Sequence, residues 1–257
     1  MLDFPQCSDH EGTLSMPSKE KLDPLTSQTV SAPTSGGANG GGRLPLNSGD
    51  RLTRIEFERR YEAYPDSKAE LVEGVVYVSS PVRVRNHGQP HSMIMTWLGT
   101  YWAATPGVTV GDNTTVRLDL ENEPQPDACV WIERSGNAWV DSDDYLAGAP
   151  EMVIEIAASS VSYDLHDKLR AYRRNGVQEY LVLAAFDKDV HWFNWRGGED
   201  HLLTPGDDGI LRSRIFPGLW LDPVRFWQGD VAGVLTMLQQ GLATPEHAQF
   251  VQRLSQT

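Results

Sequence analysis

Two acidic residues and a lysine lie in a pattern that suits a divalent-metal site. Asp127 begins an apolar run after a proline, Glu155 interrupts the apolar run 152–157, and Lys168 follows in a segment with helical periodicity. A glutamate within a buried strand is costly unless it is paired or binds a cation. If the strands that carry the two acids are neighbours, both carboxylates can bind one hard cation such as Mg²⁺ or Mn²⁺, which would activate water for phosphodiester hydrolysis. Lys168 could then orient the water or stabilise the developing charge.

The elements that must position these residues are predicted from the periodicity of apolar side chains. Buried strands are predicted at three apolar runs, 127–132, 152–157 and 180–186. Because side chains alternate across a strand, Glu155 is expected to share a face with Val153 and Ala157. Lys168 lies on a predicted helix between residues 163 and 175, which ends at Gly176. The lysine can therefore return to the strand that precedes it.

Further elements extend this core on both sides. They are a helix at 52–61, a hairpin at 69–78, a helix at 91–104, an alternating region at 108–120, strands at 190–195 and 210–221, and one or two helices at 231–254 that break at Thr244 and Pro245. The order around the site is a helix, three strands, a helix and a strand, which predicts an α/β fold.

Composition limits the classes of protein to which such a site could belong. The chain has 257 residues, 40% of them hydrophobic, and a formal net charge of −13. Coating nucleic acid by charge alone requires a basic surface, so any DNA contact is expected to be local or assisted by a metal. Cys7 and Cys129 lie in unlike contexts, which argues against a disulfide and favours a reducing cytoplasm. No export signal or membrane-spanning run is predicted, so we expect a cytoplasmic protein without a membrane partner.

Three regions are predicted along the chain. Residues 1–50 are rich in Ser, Thr, Pro and Gly and lack apolar periodicity, so they are expected to be a disordered tail or a misassigned start. Residues 51–230 are expected to form the folded domain that carries the site. Residues 231–257 are expected to form a C-terminal helical extension, which could dock a partner.

Basic residues and histidines near the predicted site are candidates for contacts with a substrate. His87 and His91 have the spacing of a zinc pair on one helix, but Pro90 between them argues that His87 precedes the helix. No clustered cysteine or third histidine completes a zinc set, so substrate contact or helix capping is favoured. Local positive charge that could meet a phosphate backbone comes from Arg83, Arg85, Arg170, Arg173 and Arg174.

From about Leu52 to Asp222 the chain resembles the Uma-two family of restriction endonucleases, within the PD-(D/E)XK nuclease superfamily. The matching pieces are Glu70-Leu71-Val72-Glu73-Gly74, His87-Gly88-Gln89-Pro90-His91, Pro126-Asp127, Val153-Ile154-Glu155-Ile156, Asp164 with Lys168 and Tyr172, and Gly176-Val177-Gln178-Glu179-Tyr180. The resemblance implies a restriction-endonuclease-like α/β core (αβββαβ) with a central mixed sheet flanked by helices, Mg²⁺-dependent DNA cleavage and homodimers. The superfamily pattern places lysine two residues after the acid, at Ala157 here. In the family it lies on the next helix, so Lys168 is the residue carried over.

Single residues also have simpler interpretations. Asp127 could be a turn or strand-entry residue, and Lys168 a solvated lysine on the helix surface. Asp164 is expected to cap the helix that carries Lys168 rather than to bind metal. Glu73 could be only a turn residue, yet it belongs to the matched hairpin and could supply another metal contact. Glu70 is its nearest competitor.

The leading prediction is a metal-dependent DNA endonuclease in which Asp127 and Glu155 bind Mg²⁺ or Mn²⁺, Glu73 assists, and Lys168 positions water or stabilises charge. Two alternatives stay open. One is a nuclease fold that binds nucleic acid or a protein without cleaving, and the other is a metal hydrolase acting on a smaller phosphoester. The chain has no Walker-type loop, no GxSxG elbow and no dinucleotide fingerprint, so no nucleotide cofactor is expected.

Overall fold

A computed structural model describes residues 44–64, 68–79, 81, 83–158, 163–196 and 201–256 of the protein. Within these ranges the α-helices are α1 (Arg54–Tyr61), α2 (Gln89–Ala104), α3 (Leu169–Asn175), α4 (Pro223–Gln228), α5 (Val231–Leu242) and α6 (Pro245–Leu254). In the same ranges the π-helical segment Val84–Gly88 leads directly into α2, and the π-helical segment Asp164–Lys168 leads directly into α3. The strands are β1 (Ala69–Val72), β2 (Val75–Val78), β3 (Val108–Asp112), β4 (Val116–Arg117), β5 (Ala128–Ile132), β6 (Ala138–Val140), β7 (Leu146–Gly148), β8 (Met152–Ala157), β9 (Glu179–Ala184), β10 (Asp189–Asn194), β11 (His201–Leu202), β12 (Leu211–Arg212) and β13 (Trp220–Leu221).

The centre of the fold is a six-stranded mixed sheet in the order β11-β10-β9-β8-β5-β3. Strands β8 and β9 are parallel, and the other neighbouring pairs are antiparallel. A parallel pair needs a crossover connection, and the chain between β8 and β9 supplies it with α3. All residues of β8 and β9 are buried, which explains why both sequences are apolar almost throughout. The predicted strands at 127–132, 152–157 and 180–186 are therefore confirmed as β5, β8 and β9.

The two faces of β8 belong to two different hydrophobic layers. Met152, Ile154 and Ile156 pack in the cluster that includes side chains of α2, α5 and α6. Val153 and Ala157 pack on the opposite face, in the cluster that contains Tyr172 of α3. Because Glu155 lies between Ile154 and Ile156 along the strand, its side chain points toward the α3 layer, as the alternation predicts.

A third, smaller cluster joins α1 to the β1–β2 hairpin. Its buried side chains are Leu46, Phe57, Ala69, Leu71 and Val76. The predicted tail ends earlier than expected, because Gly49 N donates to Val76 O (2.9 Å) and Val76 N donates to Asp50 O (2.8 Å). Residues 46–50 thus belong to the folded part of the chain, while residues 1–43 lie outside the described ranges.

The alternating region 108–120 does not form one strand. Strand β3 pairs with β5 in the central sheet, whereas β4 pairs with β7 in a separate three-stranded sheet of order β4-β7-β6. Asn113, with a φ of 49°, turns the chain between them. Asparagine adopts this left-handed conformation more readily than most residues. The alternation of polar and apolar residues by itself does not reveal such a turn.

The C-terminal part of the chain is tied to the central sheet by a buried carboxylate. Glu179 accepts hydrogen bonds from Trp192 Nε1 (3.2 Å), Asn194 Nδ2 (3.2 Å), Ser213 Oγ (2.7 Å) and the backbone N–H of Arg214 (2.6 Å). Burial raises the pKa of Glu179, although these four donors act in the opposite direction. The predicted helices at 231–254, confirmed as α5 and α6, pack in the same core. Of the helices in the described ranges, none combines the length and apolarity that a bilayer crossing needs.

A second buried acid lies where α1 meets the chain that follows β4. Glu123 is 5% exposed and lies next to Glu58, while Arg54 Nε lies 4.0 Å from Glu123 Oε2. Arg117 Nε contacts Glu58 Oε1 at 2.9 Å. Two causes raise the pKa of Glu123 to about 8: burial contributes most, and the neighbouring Glu58 contributes next. Ionised Glu123 therefore destabilises the folded protein.

We expect Glu123→Gln to stabilise the protein at pH 8 but not at pH 4.5. The folded-state pKa lies above the ordinary value, so the stability associated with protonated Glu123 is fully present below about pH 4.5 and is lost as pH rises toward 8. Glutamine removes that loss, a gain of about 1–3 kcal/mol in the free energy of unfolding at pH 8. Urea unfolding of the parent, Glu123→Gln and the exposed control Glu121→Gln across this pH range measures it. Parallel stability profiles for the parent and Glu123→Gln would contradict the assignment.

Candidate active site

A cleft of about 490 Å³ opens beside the carboxyl end of β8. It is lined by Asp127, Glu155 and Lys168, the three residues with the predicted metal-site pattern, and also by Glu70 and His87. Further lining side chains are Lys68, Tyr77, Arg83, Tyr163, Asp164 and Phe186. A second cavity of about 430 Å³, beside Arg212 and Trp220, contains none of the predicted site residues.

Strand pairing places the two predicted carboxylates side by side. Ala128 of β5 pairs with Ile154 of β8 in antiparallel register, so Asp127 lies opposite Glu155. Asp127 Oδ2 accepts a hydrogen bond from the backbone N–H of Ile156 at 2.7 Å. The residues carrying the two carboxylates are almost completely buried, with 9% of Asp127 and 5% of Glu155 exposed. The condition set for a shared cation, that β5 and β8 are neighbouring strands, is therefore met.

Lys168 reaches both Glu155 and a third carboxylate. Its Nζ lies 2.9 Å from Glu155 Oε1 and 3.0 Å from Glu70 Oε2, with Asp164 Oδ1 at 3.8 Å. The lysine is the last residue of the π-helical segment before α3, and such one-turn segments often occur at functional sites. Tyr172, one turn further along, donates from its hydroxyl to Glu155 Oε1 at 2.9 Å. The helix after β8 thus supplies two donors to one buried glutamate.

Around Lys168, carboxylates outnumber the single ammonium group. Burial raises the pKa of Glu155 well above its ordinary value; Lys168 opposes this, and Asp164, Asp127 and Glu70 raise it further. Burial alone would lower the pKa of Lys168. Its acidic neighbours, with Glu155 first, outweigh burial, and the net pKa is raised. Lys168 is therefore a protonated ammonium that faces more carboxylates than it can offset.

Two histidines bracket Asp127. His87 Nε2 contacts Asp127 Oδ1 at 2.9 Å, and His91 Nε2 lies 3.2 Å from the backbone oxygen of Asp127 and 3.0 Å from Asp112 Oδ1. Burial alone would raise the pKa of Asp127, but the contact with His87 and the N–H of Ile156 outweigh it, and the net pKa is lowered. Asp127 is thus held as a carboxylate.

His87 precedes α2, which begins at Gln89, as the position of Pro90 predicts, but His87 is not in a loop. The π-helical segment Val84–Gly88 runs into α2, and the two imidazole rings stack with centroids 5.7 Å apart. Pro90 fits in the first turn of α2, where a missing N–H removes no helical hydrogen bond. Only His87 lines the cleft.

Residues 55–224 match the family model Uma2, described as "Putative restriction endonuclease". The chain belongs to the Uma2 family. The matched region contains every side chain described above as lining the main cleft. Membership of this family supports a nuclease function in general terms.

A solved structure with the same fold comes from Anabaena variabilis, where the crystallised protein is described as a putative nuclease belonging to DUF820. It shares 14% sequence identity with this chain, and the TM-score is 0.53. The similarity covers 69% of this chain and 98% of that chain. At this identity the comparison shows the fold, and it confirms the predicted restriction-endonuclease-like α/β class. No curated protein is significantly similar in sequence.

In this Uma2 chain the hairpin acid that reaches the cleft is Glu70 and not Glu73. Glu73 lies in the turn between β1 and β2, with a φ of 52°, and its Oε2 accepts from Arg174 Nη1 at 3.0 Å. Glu73 does not line the cleft, whereas Glu70 contacts Lys168 and also accepts from the backbone N–H of Gln125 (3.2 Å). Strand alternation does not identify Glu70 by itself, because Leu71 on one face of β1 and Val72 on the other are both fully buried.

The predicted basic residues are divided between the cleft and other surfaces. Arg83 lines the cleft, whereas Arg85 and Arg173 are exposed outside it. Lys68, which was not predicted, also lines the cleft and donates to Asn113 Oδ1 at 2.8 Å. It has the same parity along the chain as Glu70, so the two side chains are expected on one face of the hairpin.

The donor set suits a hard divalent cation. Glu70, Asp127 and Glu155 present carboxylate oxygens to one cleft, and oxygen ligands are those that Mg²⁺ and Mn²⁺ prefer. The excess of carboxylates around Lys168 is the observation that favours an additional positive charge. Within the described ranges, however, no three His, Cys, Asp or Glu side chains are grouped so that they could hold a metal ion as they stand. The ammonium of Lys168 lies at 2.9 Å from Glu155 and 3.0 Å from Glu70.

Proposed function

We propose that this protein is a metal-dependent endonuclease that hydrolyses phosphodiester bonds in DNA with Mg²⁺ or Mn²⁺. The observation that carries the proposal is the contact of Lys168 with both Glu155 and Glu70, in a cleft that also holds Asp127. A buried ion network is a weak device for stability, because desolvation offsets much of its Coulomb energy. Its position at an open cleft is better explained by chemistry on a charged substrate.

The carboxylates would hold the metal ion. Asp127 and Glu155 come from adjacent strands, and Glu70 takes the third place that the sequence assigned to Glu73. When bound, a divalent ion supplies Lewis acidity at the phosphate and activates a water. The other polar side chains keep these carboxylates in position, because Tyr172 donates to Glu155 and His87 contacts Asp127.

Lys168 would act on the reacting phosphate. Its ammonium is held by two carboxylates, and its raised pKa keeps it protonated across the ordinary pH range. A fixed positive charge stabilises the charge that develops in the transition state, and an N–H can also orient the attacking water. In the superfamily pattern the lysine lies on the same strand as the acid, at the position of Ala157 here. Lys168 comes from the following helical segment instead, and its Nζ still lies 2.9 Å from Glu155.

The substrate contacts would be local, in keeping with a net charge of −13. Arg83 and His87 line the cleft and would contact the phosphate backbone, with Lys68 beside them. Arg85, Arg173 and His91 lie outside the cleft and would at most support this contact. A homodimer and a cytoplasmic location remain predictions.

A second candidate is a protein of the same fold that binds nucleic acid or a protein partner without cleaving. The favouring observation is that Lys168 already satisfies Glu70 and Glu155, as a cation would. The two candidates differ in their need for metal. A cleaving protein requires Mg²⁺ or Mn²⁺, whereas a binding protein does not.

The test of the proposed function is metal-dependent cleavage. Purified protein is incubated with supercoiled plasmid and with single-stranded DNA in Mg²⁺, Mn²⁺ or EDTA, and the melting temperature is recorded in each buffer. We expect cleavage in one or both metals, none in EDTA, and a rise in melting temperature with metal because only the folded state binds it. Intact DNA in every buffer together with unchanged melting temperatures would leave the binding candidate.

A further inference from the structure

A large apolar side chain stands exposed at the mouth of the cleft. Phe186 lies in the turn between β9 and β10, is 58% exposed and lines the cleft. Within the described ranges its ring has no aromatic partner. Its place is set by the sheet, because the next residue back, Ala185, donates its N–H to Ala157 O (2.8 Å) at the end of β8. The turn that carries Phe186 is therefore fixed at the end of the strand that carries Glu155.

Exposure alone does not indicate a function, since single exposed hydrophobic residues are common on soluble proteins. The location of Phe186 adds the second observation. The same cleft contains Tyr77 and Tyr163, whose rings lie 4.0 Å apart, so the wall near the carboxylates is aromatic as well as charged. Aromatic faces next to groups that bind phosphate are a combination typical of sites for unpaired nucleotides.

The dimensions of the cleft also favour a small, flexible substrate. Its volume of about 490 Å³ lies in the range of pockets that enclose one small molecule. Glu155 and Lys168 are both nearly inaccessible from outside. A phosphate on an intact double helix is attached to a wide rod, whereas an unpaired nucleotide can turn into a cleft of this volume.

The charges lining the cleft lead to the same conclusion. Besides the buried Lys168, the lysine and arginine side chains that line it within the described ranges are Lys68 and Arg83. Proteins that follow a duplex neutralise many phosphates with a broad basic surface, which a chain of charge −13 does not suggest. Two cations in one cleft suit a short unpaired segment better than a long stretch of duplex.

We propose that the cleft accepts an unpaired nucleotide, with the ring of Phe186 stacked on its base and its phosphate near Lys68 and Arg83. The substrate class is then single-stranded DNA or an unpaired segment within a duplex, and Phe186 is the residue that selects it. Inside a duplex each base is stacked between its neighbours and offers no free face to Phe186. This inference rests on the proposed function, since it names the substrate of the same cleft.

Binding in EDTA tests the inference without requiring cleavage. Fluorescence anisotropy gives the Kd for a labelled single strand, for the matching duplex, and for that duplex with a short unpaired gap. We expect the parent to prefer the single strand and the gapped duplex. Phe186→Ala should weaken their binding about 5- to 150-fold, the equivalent of about 1–3 kcal/mol of stacking, and leave duplex binding unchanged. Phe186→Trp should retain tight binding.

Trp139→Ala is the matched control, because Trp139 is also 58% exposed but does not line the cleft. It should leave every Kd unchanged, and melting temperatures check that all variants are folded. Equal affinity of the parent for duplex and single strand, or an unchanged Kd for Phe186→Ala, would overturn the inference.

Cleavage of the same DNAs in Mg²⁺ or Mn²⁺ separates the two proposals. Cuts confined to unpaired segments, and slowed by Phe186→Ala, support both. No cleavage with Phe186-dependent binding of single strands would overturn the nuclease proposal and keep the ligand assignment. Cleavage of fully paired duplex at the same rate as single strands would keep the nuclease and overturn the selective role of Phe186.

Discussion

Asp127→Asn and Glu155→Gln are each expected to lower the single-turnover rate of DNA cleavage by roughly 10²- to 10⁴-fold, the range found when a group that stabilises a transition state is removed. Each amide keeps the size of the side chain but removes one negative oxygen from the proposed metal site. Both residues lie in the same cleft, on adjacent strands. Rates are measured with enzyme in excess over a labelled substrate, in Mg²⁺ and in Mn²⁺.

The chain offers a matched control for the loss of a carboxylate. Glu73 belongs to the same hairpin as Glu70, but its side chain pairs with Arg174 outside the cleft. Glu73→Gln is expected to leave the rate within about twofold of the parent, because a surface ion pair contributes little. Glu70→Gln should resemble the cleft variants. If Glu73→Gln abolishes cleavage while Glu70→Gln does not, the assignment of the third carboxylate is wrong.

Lys168→Met is expected to abolish cleavage and also to lower the free energy of unfolding by about 3–5 kcal/mol, the cost of removing one partner from a buried ion pair. Methionine fills most of the volume of lysine but leaves Glu70, Glu155 and Asp164 facing one another without the ammonium. Denaturant unfolding measures the loss. Lys188→Met, at an exposed turn, is the control and should leave stability nearly unchanged.

A divalent ion should partly replace the missing charge. We expect Mg²⁺ or Mn²⁺ to raise the melting temperature of Lys168→Met more than that of the parent, because the freed carboxylates bind the ion and only the folded state holds them together. If Lys168→Met is as stable as the parent and its melting temperature does not respond to metal, the ammonium does not offset these carboxylates. That outcome would also remove the charge argument for a metal site.

Much of the site could be predicted because its signals are local. A glutamate in an otherwise apolar strand must be satisfied, so Glu155 was identifiable from the cost of burying a charge. The face of β8 on which it lies follows from alternation, and the crossover helix after a parallel strand makes Lys168 a reachable partner. The fold class could be predicted for the same reason, since periodicities of two and 3.6 residues identify strands and helices.

The errors arise where long-range geometry decides. Glu70 and Glu73 are both hairpin acids, and choosing between them requires knowing which face of β1 meets the helix that carries Lys168. The π-helical segment Val84–Gly88 before α2 was not predicted, because no local pattern distinguishes it from a loop. Phe186 was expected within the buried strand 180–186, but β9 ends at Ala184 and Phe186 lies exposed in the turn that follows.

Local patterning thus determined the strand that carries the buried acid, the helix that returns a lysine and the class of fold, because each depends on neighbours along the chain. The tertiary structure alone decided which acids share the ammonium, how closely His87 approaches Asp127 and which aromatic rings border the cleft. These depend on sheet order and register, and contacts between residues far apart in sequence are set by the packing of whole elements rather than by any local pattern.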